Sequence, residues 1–488
     1  MIRKYFRNVG ILAITEGMLQ LKGLVLMPFL TRQFGPINYG VWSQVSVLIS
    51  TITPLVILGT DSAALRLLPG IDALKQKRYF SAWVVFLSVL AALFALPLLF
   101  FKNQLAQLFF GDTDGYVLFL PLAAAWLITS TMVNAIRNWF RIQNNAKLFG
   151  LSNILQALFN IFAVVAMLLQ NQGVYLLVLY TLISDVLLFG IFSIVVFLKY
   201  GWAKPDFSIL APMLKFGLPL VPAGFAIWGL NYLDRLFLVR YSTLGEIGVY
   251  AVAYNVAYRI IPIFILPLST MFFNSAAELY NLGKLDVLQR LFERSAGLVL
   301  ALALPASAGL FLLGDRLLRI FATGEFARGA PVILFISTGY VFLQVDAYFA
   351  AALGLIHKQY ISTWAHLLGV AVNFVLCLLL IPSFSILGAA IATNVSFLSL
   401  MLTTLLFVNH YKIWRINLKF PLKILIATTL MGLGIYFADA FWIAQIGNIV
   451  GEILLLTGTG ALIYILCLWT MKILNRSELK LAFSLLRP

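Results

Sequence analysis

The chain has 488 residues, of which 62% are hydrophobic and only 11% are charged, and its mean hydropathy is +0.98. A soluble globular protein carries about 25% charged residues, so this composition excludes a soluble domain and indicates an integral membrane protein. The net charge of +16 comes from basic residues in short segments between apolar runs. Membrane topology explains that pattern, and no nucleic-acid partner is expected.

Fourteen apolar runs follow one another, each long enough to cross the roughly 30 Å hydrocarbon layer as a helix. They lie at 10–31, 41–59, 81–101, 117–136, 149–169, 174–198, 213–233, 248–272, 296–313, 331–353, 361–381, 387–408, 421–441 and 450–471. Basic residues concentrate in alternate connecting segments, which predicts cytoplasmic termini in a cytoplasmic (inner) membrane. This topology puts Arg137 in a cytoplasmic segment and Arg235 in an outer one. The sequence therefore predicts an all-α polytopic membrane protein with 14 transmembrane helices.

The first six spans look duplicated in the next six. The segment Gly40–Trp42 returns 208 residues later as Gly248–Tyr250, and Leu96–Pro97 returns at the same offset as Leu304–Pro305. Each half has an even number of spans, which predicts halves related by an axis along the membrane normal. The predicted organisation is an N-terminal six-helix bundle at 1–208, a C-terminal six-helix bundle at 209–416, and two additional helices with a cytoplasmic tail at 417–488.

The first span carries two ionisable residues, Glu16 and Lys22. At 100° per residue both fall in one polar sector, opposite an apolar face with Leu21, Leu24 and Val25. A charge near the middle of a span costs about 2.5–3.5 kcal/mol on the insertion scale, so we expect the polar face to line a water-filled cavity. The alternative is a lysine that reaches the interface or pairs only for packing.

Arg259 is a second deep cation, in the eighth span, with Asn255 one turn away on the same face. We expect Arg259 to face the cavity; an ion pair with Asp185 or Asp346 is the alternative. Asp185, in the sixth span, and Asp346, in the tenth, are deep carboxylates that could carry protons or form structural pairs.

Amide side chains form a stripe on the fifth span, at Asn153 and Asn160 with Gln156 between them, and the eleventh span echoes it with His366 and Asn373. Such stripes suit sugar hydroxyls in a channel. They equally suit hydrogen bonds between helices, worth about 0.6 kcal/mol each.

Proline interrupts matched spans of the two halves, at Pro28 in the first and at Pro219 and Pro222 near the start of the seventh. These positions are predicted hinges beside a midplane site.

The sequence has no G-x-x-x-x-G-K-[ST] or H-E-x-x-H motif, so ATP is not its direct energy source, and no catalytic activity is expected. Cys377 and Cys467 lie inside apolar runs, so neither a metal site nor a cofactor is expected.

The stretch PFLTRQFGPINYGVW at 28–42, followed by LGTDSAALR at 58–66, resembles the N-terminal signature of bacterial polysaccharide biosynthesis proteins. These are the Wzx-type lipid-linked oligosaccharide flippases of the multidrug/oligosaccharidyl-lipid/polysaccharide (MOP) exporter superfamily. The resemblance implies a MATE-like fold of two pseudo-symmetric six-helix bundles plus two C-terminal helices. It also implies that the chain moves undecaprenyl-diphosphate-linked oligosaccharide repeat units outward for O-antigen, capsule or exopolysaccharide export, by alternating access.

Family members keep cations in a central cavity, and Lys22 and Arg259 are the residues here that fit diphosphate binding. Lipid II flippases of this superfamily have several arginines in the first two spans, whereas this chain has Lys22 there, which argues against lipid II. The implied partners are the lipid-linked oligosaccharide and membrane lipid, with a polysaccharide polymerase and a chain-length regulator as candidates. The internal repeat lets one chain form the whole pathway, so a monomer is expected to function.

Two alternatives stay open. A multidrug or cation antiporter of the same superfamily would depend on Glu16, Asp185 and Asp346 rather than on the cations. A membrane-embedded polysaccharide polymerase or ligase would need catalytic charges in an outer loop, for which 314–330 is the candidate.

Overall fold

The computed structural model describes residues 2–111, 115–170, 173–411, 414, 419–443 and 447–471. Side chains are described from residue 21 onward, apart from positions 264, 266–268, 270–271, 274, 419 and 442–443. Within these ranges the chain is almost entirely helical and contains no strand. This is expected in lipid, where a helix satisfies its own backbone hydrogen bonds.

Sixteen α-helices follow one another in the described part of the chain. They are α1 (Ile2–Ile57), α2 (Thr60–Leu67), α3 (Ala73–Phe100), α4 (Lys102–Phe110), α5 (Phe119–Ile142), α6 (Ala146–Leu169), α7 (Val174–Tyr200), α8 (Leu210–Gly217), α9 (Val221–Tyr241), α10 (Leu244–Asn281), α11 (Leu285–Leu312), α12 (Gly314–Phe321), α13 (Ala330–Leu355), α14 (Gln359–His410), α15 (Lys419–Ala438) and α16 (Ile449–Thr470).

Two of these helices are each interrupted at one residue with non-helical backbone. In α1 the residue is Gly35 (φ 61°, ψ −176°), where glycine tolerates the positive φ and Pro36 follows without a backbone N–H. In α14 it is Ser385 (φ 47°, ψ −126°). The first two predicted spans lie on either side of Gly35, and the eleventh and twelfth on either side of Ser385.

Eleven helices of the described part are long and apolar enough to cross a membrane. The long α1 and α14 each count once among them, and α10, which contains the predicted eighth span, is not one of the eleven. The chain is thus a multi-pass helical membrane protein, while the number of fourteen spans and their arrangement in bundles stay predictions.

The chain divides into two compact units, one formed by 1–251 with 369–392 and the other by 252–368 with 393–488. The boundaries predicted at 208 and 416 stay a prediction. In the first unit, α3, α5 and α7 enclose an aromatic core in which Trp83 and Trp139 are 1% exposed. In the second unit, α11, α15 and α16 pack together, and the hydroxyl of Tyr464 donates to the Ala301 carbonyl at 2.7 Å.

Two glycines matched by the sequence repeat meet in space within the first unit. A Cβ on Gly40 would clash with the carbonyl oxygen of Leu244, and a Cβ on Gly248 would clash with that of Pro36. The second half of α1 and the start of α10 therefore touch backbone to backbone. Small residues permit such close approach between membrane helices.

Two helices run further than their apolar runs, which corrects the predicted positions of several charges. The helix α5 continues to Ile142, so Arg137 lies inside it and is half-buried rather than in a connecting segment. The helix α9 continues to Tyr241, and Asp234 and Arg235 within it are 1% and 5% exposed. The outer-loop position predicted for Arg235 is wrong, because its helix does not end where its apolar run ends.

Candidate functional site

Lys22 lies on α1 with a half-buried side chain. Its neighbours Leu21 and Val25 are 52% and 57% exposed, as expected for the apolar face, but Leu24 is 7% exposed. The placement of Leu24 on the exposed face is therefore wrong, since this side chain packs inward. The side chain of Glu16 lies outside the described residues, and its role stays a prediction.

Asp185, on α7, is buried at the centre of a polar network in the first unit. Its Oδ2 accepts a hydrogen bond from Nε1 of Trp126 (2.9 Å), and its Oδ1 accepts one from Nε2 of Gln156 (3.1 Å). The carboxylate also interacts electrostatically with Arg137 and Lys22. The structure therefore brings together two residues that were predicted separately, Lys22 and Asp185.

Arg137 extends this network from α5. Its Nη2 donates to Oε1 of Gln156 at 2.8 Å and approaches the Ser152 carbonyl at 3.4 Å. Hydrogen bonds to a charged partner contribute about 1.5–3 kcal/mol each, which is enough to hold Gln156 in one orientation between a cation and a carboxylate. Sequence reasoning missed Arg137 as a site residue, because it follows the end of an apolar run.

An aromatic pair adjoins the network. The rings of Trp42 (α1) and Trp126 (α5) stack with centroids 5.7 Å apart and planes 20° apart, and both side chains are half-buried. Trp126 is the same indole that donates to Asp185. The helices α1, α5, α6 and α7 that carry these residues all pack against one another. We name the six residues of the network and the pair the Asp185 cluster: Lys22, Trp42, Trp126, Arg137, Gln156 and Asp185.

The three amide side chains of the stripe on α6 do not all have the same role. Gln156 makes hydrogen bonds between helices, which is the packing alternative for such stripes. Asn153 is 4% exposed, and Asn160 is half-buried further along the helix. A sugar-facing role for Asn153 and Asn160 stays a prediction.

A second buried polar group of the first unit surrounds Asp234. The carboxylate of Asp234 accepts a hydrogen bond from the Tyr250 hydroxyl. Cys377 interacts electrostatically with Asp234, and its Sγ lies 3.6 Å from Oδ1 of Asn373, which is fully buried. Asn373 was predicted as a cavity residue, whereas Asp234 was missed because it follows the last residue of its apolar run.

The second unit holds the other deep charges. Asp346 on α13 is 2% exposed, interacts with the side chain of Thr404 and interacts electrostatically with His366, both on α14. Nδ1 of His366 is 2.7 Å from the Ser362 carbonyl oxygen. Asp346 and His366, predicted on separate spans, thus influence each other electrostatically.

Arg259 and Asn255 lie on α10 of the second unit, and both side chains are half-buried. An aromatic cluster adjoins them: the hydroxyls of Tyr254 and Tyr340 are 2.9 Å apart, and the rings of Tyr258 and Tyr340 are 5.3 Å apart. This environment combines hydroxyl groups with aromatic faces. The role of Arg259 in substrate binding stays a prediction.

The predicted hinges coincide with irregular backbone in one case. Pro219 lies in a three-residue 3-10 turn, Leu218–Leu220, between α8 and α9, and Pro222 lies in the first turn of α9. Pro28 lies inside α1, seven positions before the break at Gly35. Movement at these residues stays a prediction.

The charged segment around α12, predicted to lie on the outer side, is engaged in ion pairs. Arg316 contacts Asp439 at 2.6 Å and Glu452 at 2.7 Å, and Arg319 contacts Asp315 at 2.7 Å. These contacts join α12 to the region of α15 and α16. They give the charges of this segment a structural use, which weakens the polymerase or ligase alternative.

The sequence profile described as "Polysaccharide biosynthesis protein" matches residues 29–331, more than half of the chain. An uncharacterized membrane protein of Methanocaldococcus jannaschii is 22% identical over 466 residues, 91% of each chain. "Probable low-salt glycan biosynthesis flippase Agl15" of Haloferax volcanii is 21% identical over 378 residues, 76% of each chain. Among solved structures, the lipid II flippase MurJ in an inward closed conformation superposes with a TM-score of 0.78 at 15% identity, covering 95% of this chain and 98% of that one. The last likeness shows a shared fold.

Proposed function

We propose that this chain, which belongs to the polysaccharide biosynthesis protein family, is a flippase that moves undecaprenyl-diphosphate-linked oligosaccharide repeat units from the inner to the outer leaflet of the cytoplasmic membrane. The family membership confirms the prediction made from residues 28–42 and 58–66. Two relatives from Haloferax volcanii are named probable flippases, which supports transport rather than chemical conversion. The substrate, the polysaccharide exported and the cytoplasmic position of both termini are parts of the proposal.

The observation that carries the proposal is the excess of positive charge in the Asp185 cluster. Lys22 and Arg137 contribute two cations, and Asp185 contributes one carboxylate. Intramembrane charges are costly and usually mark a substrate or ion pathway. A diphosphate carries about two negative charges, and cationic hydrogen-bond donors bind phosphate oxygens strongly. Lys22 would replace part of the water that the head group loses, with Arg259 doing so in the second unit.

In an alternating-access cycle, the membrane potential acts on these charges and favours transport in one direction. An inside-negative membrane potential favours outward movement of negative charge by about 2.3 kcal/mol per elementary charge per 100 mV. The empty protein, with its positively charged cluster, is then drawn back toward the inside. Neither step needs ATP.

Complementation of a strain that lacks its oligosaccharide flippase tests the proposal. Lys22→Ala and Arg259→Ala are expected to abolish surface polysaccharide at unchanged protein level in the membrane, whereas Lys22→Arg should retain export because it keeps the charge. Asp315→Asn, at an exposed ion pair, is the control and should export normally. Normal export by both alanine variants would remove the diphosphate assignment.

The antiporter alternative rests on a different observation, the buried Asp346 beside His366. A proton-coupled drug exporter would lose resistance to cationic drugs with Asp346→Asn. A flippase confers no such resistance to begin with. Growth in the presence of cationic dyes therefore separates the two functions.

A further inference from the structure

The stacked pair of Trp42 and Trp126 has a property that packing alone leaves unexplained. Two other tryptophans of the same unit, Trp83 and Trp139, are 1% exposed and fill its core. Trp42 and Trp126 are half-buried instead, and Trp126 donates to the buried carboxylate of Asp185. Partly exposed aromatic side chains beside convergent polar groups are typical of ligand sites.

We propose that the Asp185 cluster binds the sugar ring joined directly to the diphosphate, with Trp42 and Trp126 as the stacking surface. The proposal rests on the flippase function proposed above and names the part of the substrate that this site reads. The apolar C–H face of a pyranose fits against the electron-rich face of an indole. The hydrogen bond from Trp126 to Asp185 fixes the orientation of one ring of that surface.

The polar half of the cluster matches the other chemistry of a sugar. Each hydroxyl group of a pyranose both donates and accepts hydrogen bonds. Each carboxylate oxygen of Asp185 accepts one hydrogen bond within the cluster and has a second lone pair, and Gln156 and Arg137 each have further N–H groups beyond those that they use there. An acceptor flanked by donors is what two neighbouring hydroxyls require, and charged partners make these bonds stronger than neutral ones.

The interaction between Lys22 and Asp185 indicates which sugar of the oligosaccharide the cluster binds. Lys22 interacts electrostatically with Asp185, so the cation proposed to bind phosphate belongs to the same cluster as the proposed sugar site. In the substrate, the diphosphate is bonded to the first sugar and to no other. A cluster that combines this cation with the stacking surface therefore suits the first sugar of the oligosaccharide.

The test measures lipid binding by the full chain in lipid nanodiscs. Four probes are compared: a polyprenyl diphosphate without sugar, and the same lipid carrying one glucose, one galactose or one N-acetylglucosamine. The wild type should bind at least one sugar-bearing probe about tenfold more tightly than the bare diphosphate lipid. Trp42→Ala should abolish that difference and change affinity for the bare lipid less than twofold, and Trp42→Phe should restore most of the preference.

Trp202→Ala is the matched control, because Trp202 is a tryptophan of the same unit that is 50% exposed and lies outside the cluster. It should leave binding of all four probes unchanged. If Trp42→Ala does not fold, Trp126→Phe replaces it, since it keeps an aromatic ring but removes the indole N–H that holds Asp185; it should reduce the preference severalfold.

Three results would overturn the inference: equal binding of all four probes by the wild type, an equal loss for bare and sugar-bearing lipids in Trp42→Ala, or no loss in that variant. Failure of the proposed function looks different. In that case the wild type binds no diphosphate lipid, or Lys22→Ala leaves binding of the bare diphosphate lipid intact.

Discussion

Asp185 is the residue on which the polar network of the first unit depends. Asp185→Leu would leave the Trp126 and Gln156 donors and the nearby cations without their carboxylate. A buried donor left without its acceptor costs about 1–3 kcal/mol, and this substitution leaves two such donors, on Trp126 and Gln156. We expect a clearly lower thermal unfolding midpoint in detergent. Asp315→Asn, at the exposed pair with Arg319, should change stability by about 0–1 kcal/mol at most. An Asp185→Leu protein as stable as the wild type would show that the network contributes nothing.

Single charged residues could be found from the sequence, but their partners could not. Lys22 and Asp185 stand out because charge is rare in an apolar run. That Asp185 accepts from Trp126 and Gln156 depends on how α5, α6 and α7 pack, and no spacing along the chain encodes it. The position of Arg137 was wrong for a different reason: its helix, α5, extends beyond the apolar run from which that position was predicted.

At the scale of elements, the contact between α1 and α10 gives a prediction. Gly248→Ala should separate these helices, because the new Cβ would clash with the Pro36 carbonyl oxygen and backbone cannot rotate away as a side chain can. Overpacking typically costs about 1–3 kcal/mol, so a lower unfolding midpoint is expected. Gly245→Ala is the control on the same helix, where a Cβ would meet only ordinary contacts at 3.6 Å or more. Equal midpoints for the two variants would rule out a tight crossing.

Helix existence follows from the sequence more reliably than helix ends. A long apolar run must form a helix in lipid, and this holds for runs such as 149–169, which falls within α6. The ends are set by capping and packing: Asn145 caps α6 through its side chain, and α9 extends past its apolar run because Asp234 is paired with Tyr250. The hydropathy of the sequence indicates neither the capping residue nor the packing that sets a helix end.

At the scale of the whole molecule, the positive excess in the Asp185 cluster links transport to the membrane potential. In proteoliposomes, an inside-negative potassium diffusion potential should accelerate outward movement of a diphosphate-linked oligosaccharide, and a potential of opposite sign should slow it. The physical reason is the energy of about 2.3 kcal/mol per elementary charge per 100 mV, enough at full charge movement to change a rate severalfold. Lys22→Gln removes one cation and should abolish transport at both polarities, whereas Lys22→Arg keeps the charge and should keep the voltage dependence. Equal rates at both polarities in the wild type would mean that the transport cycle moves no net charge. A counter-ion would then have to accompany the lipid, and the driving force would have to come from an ion gradient.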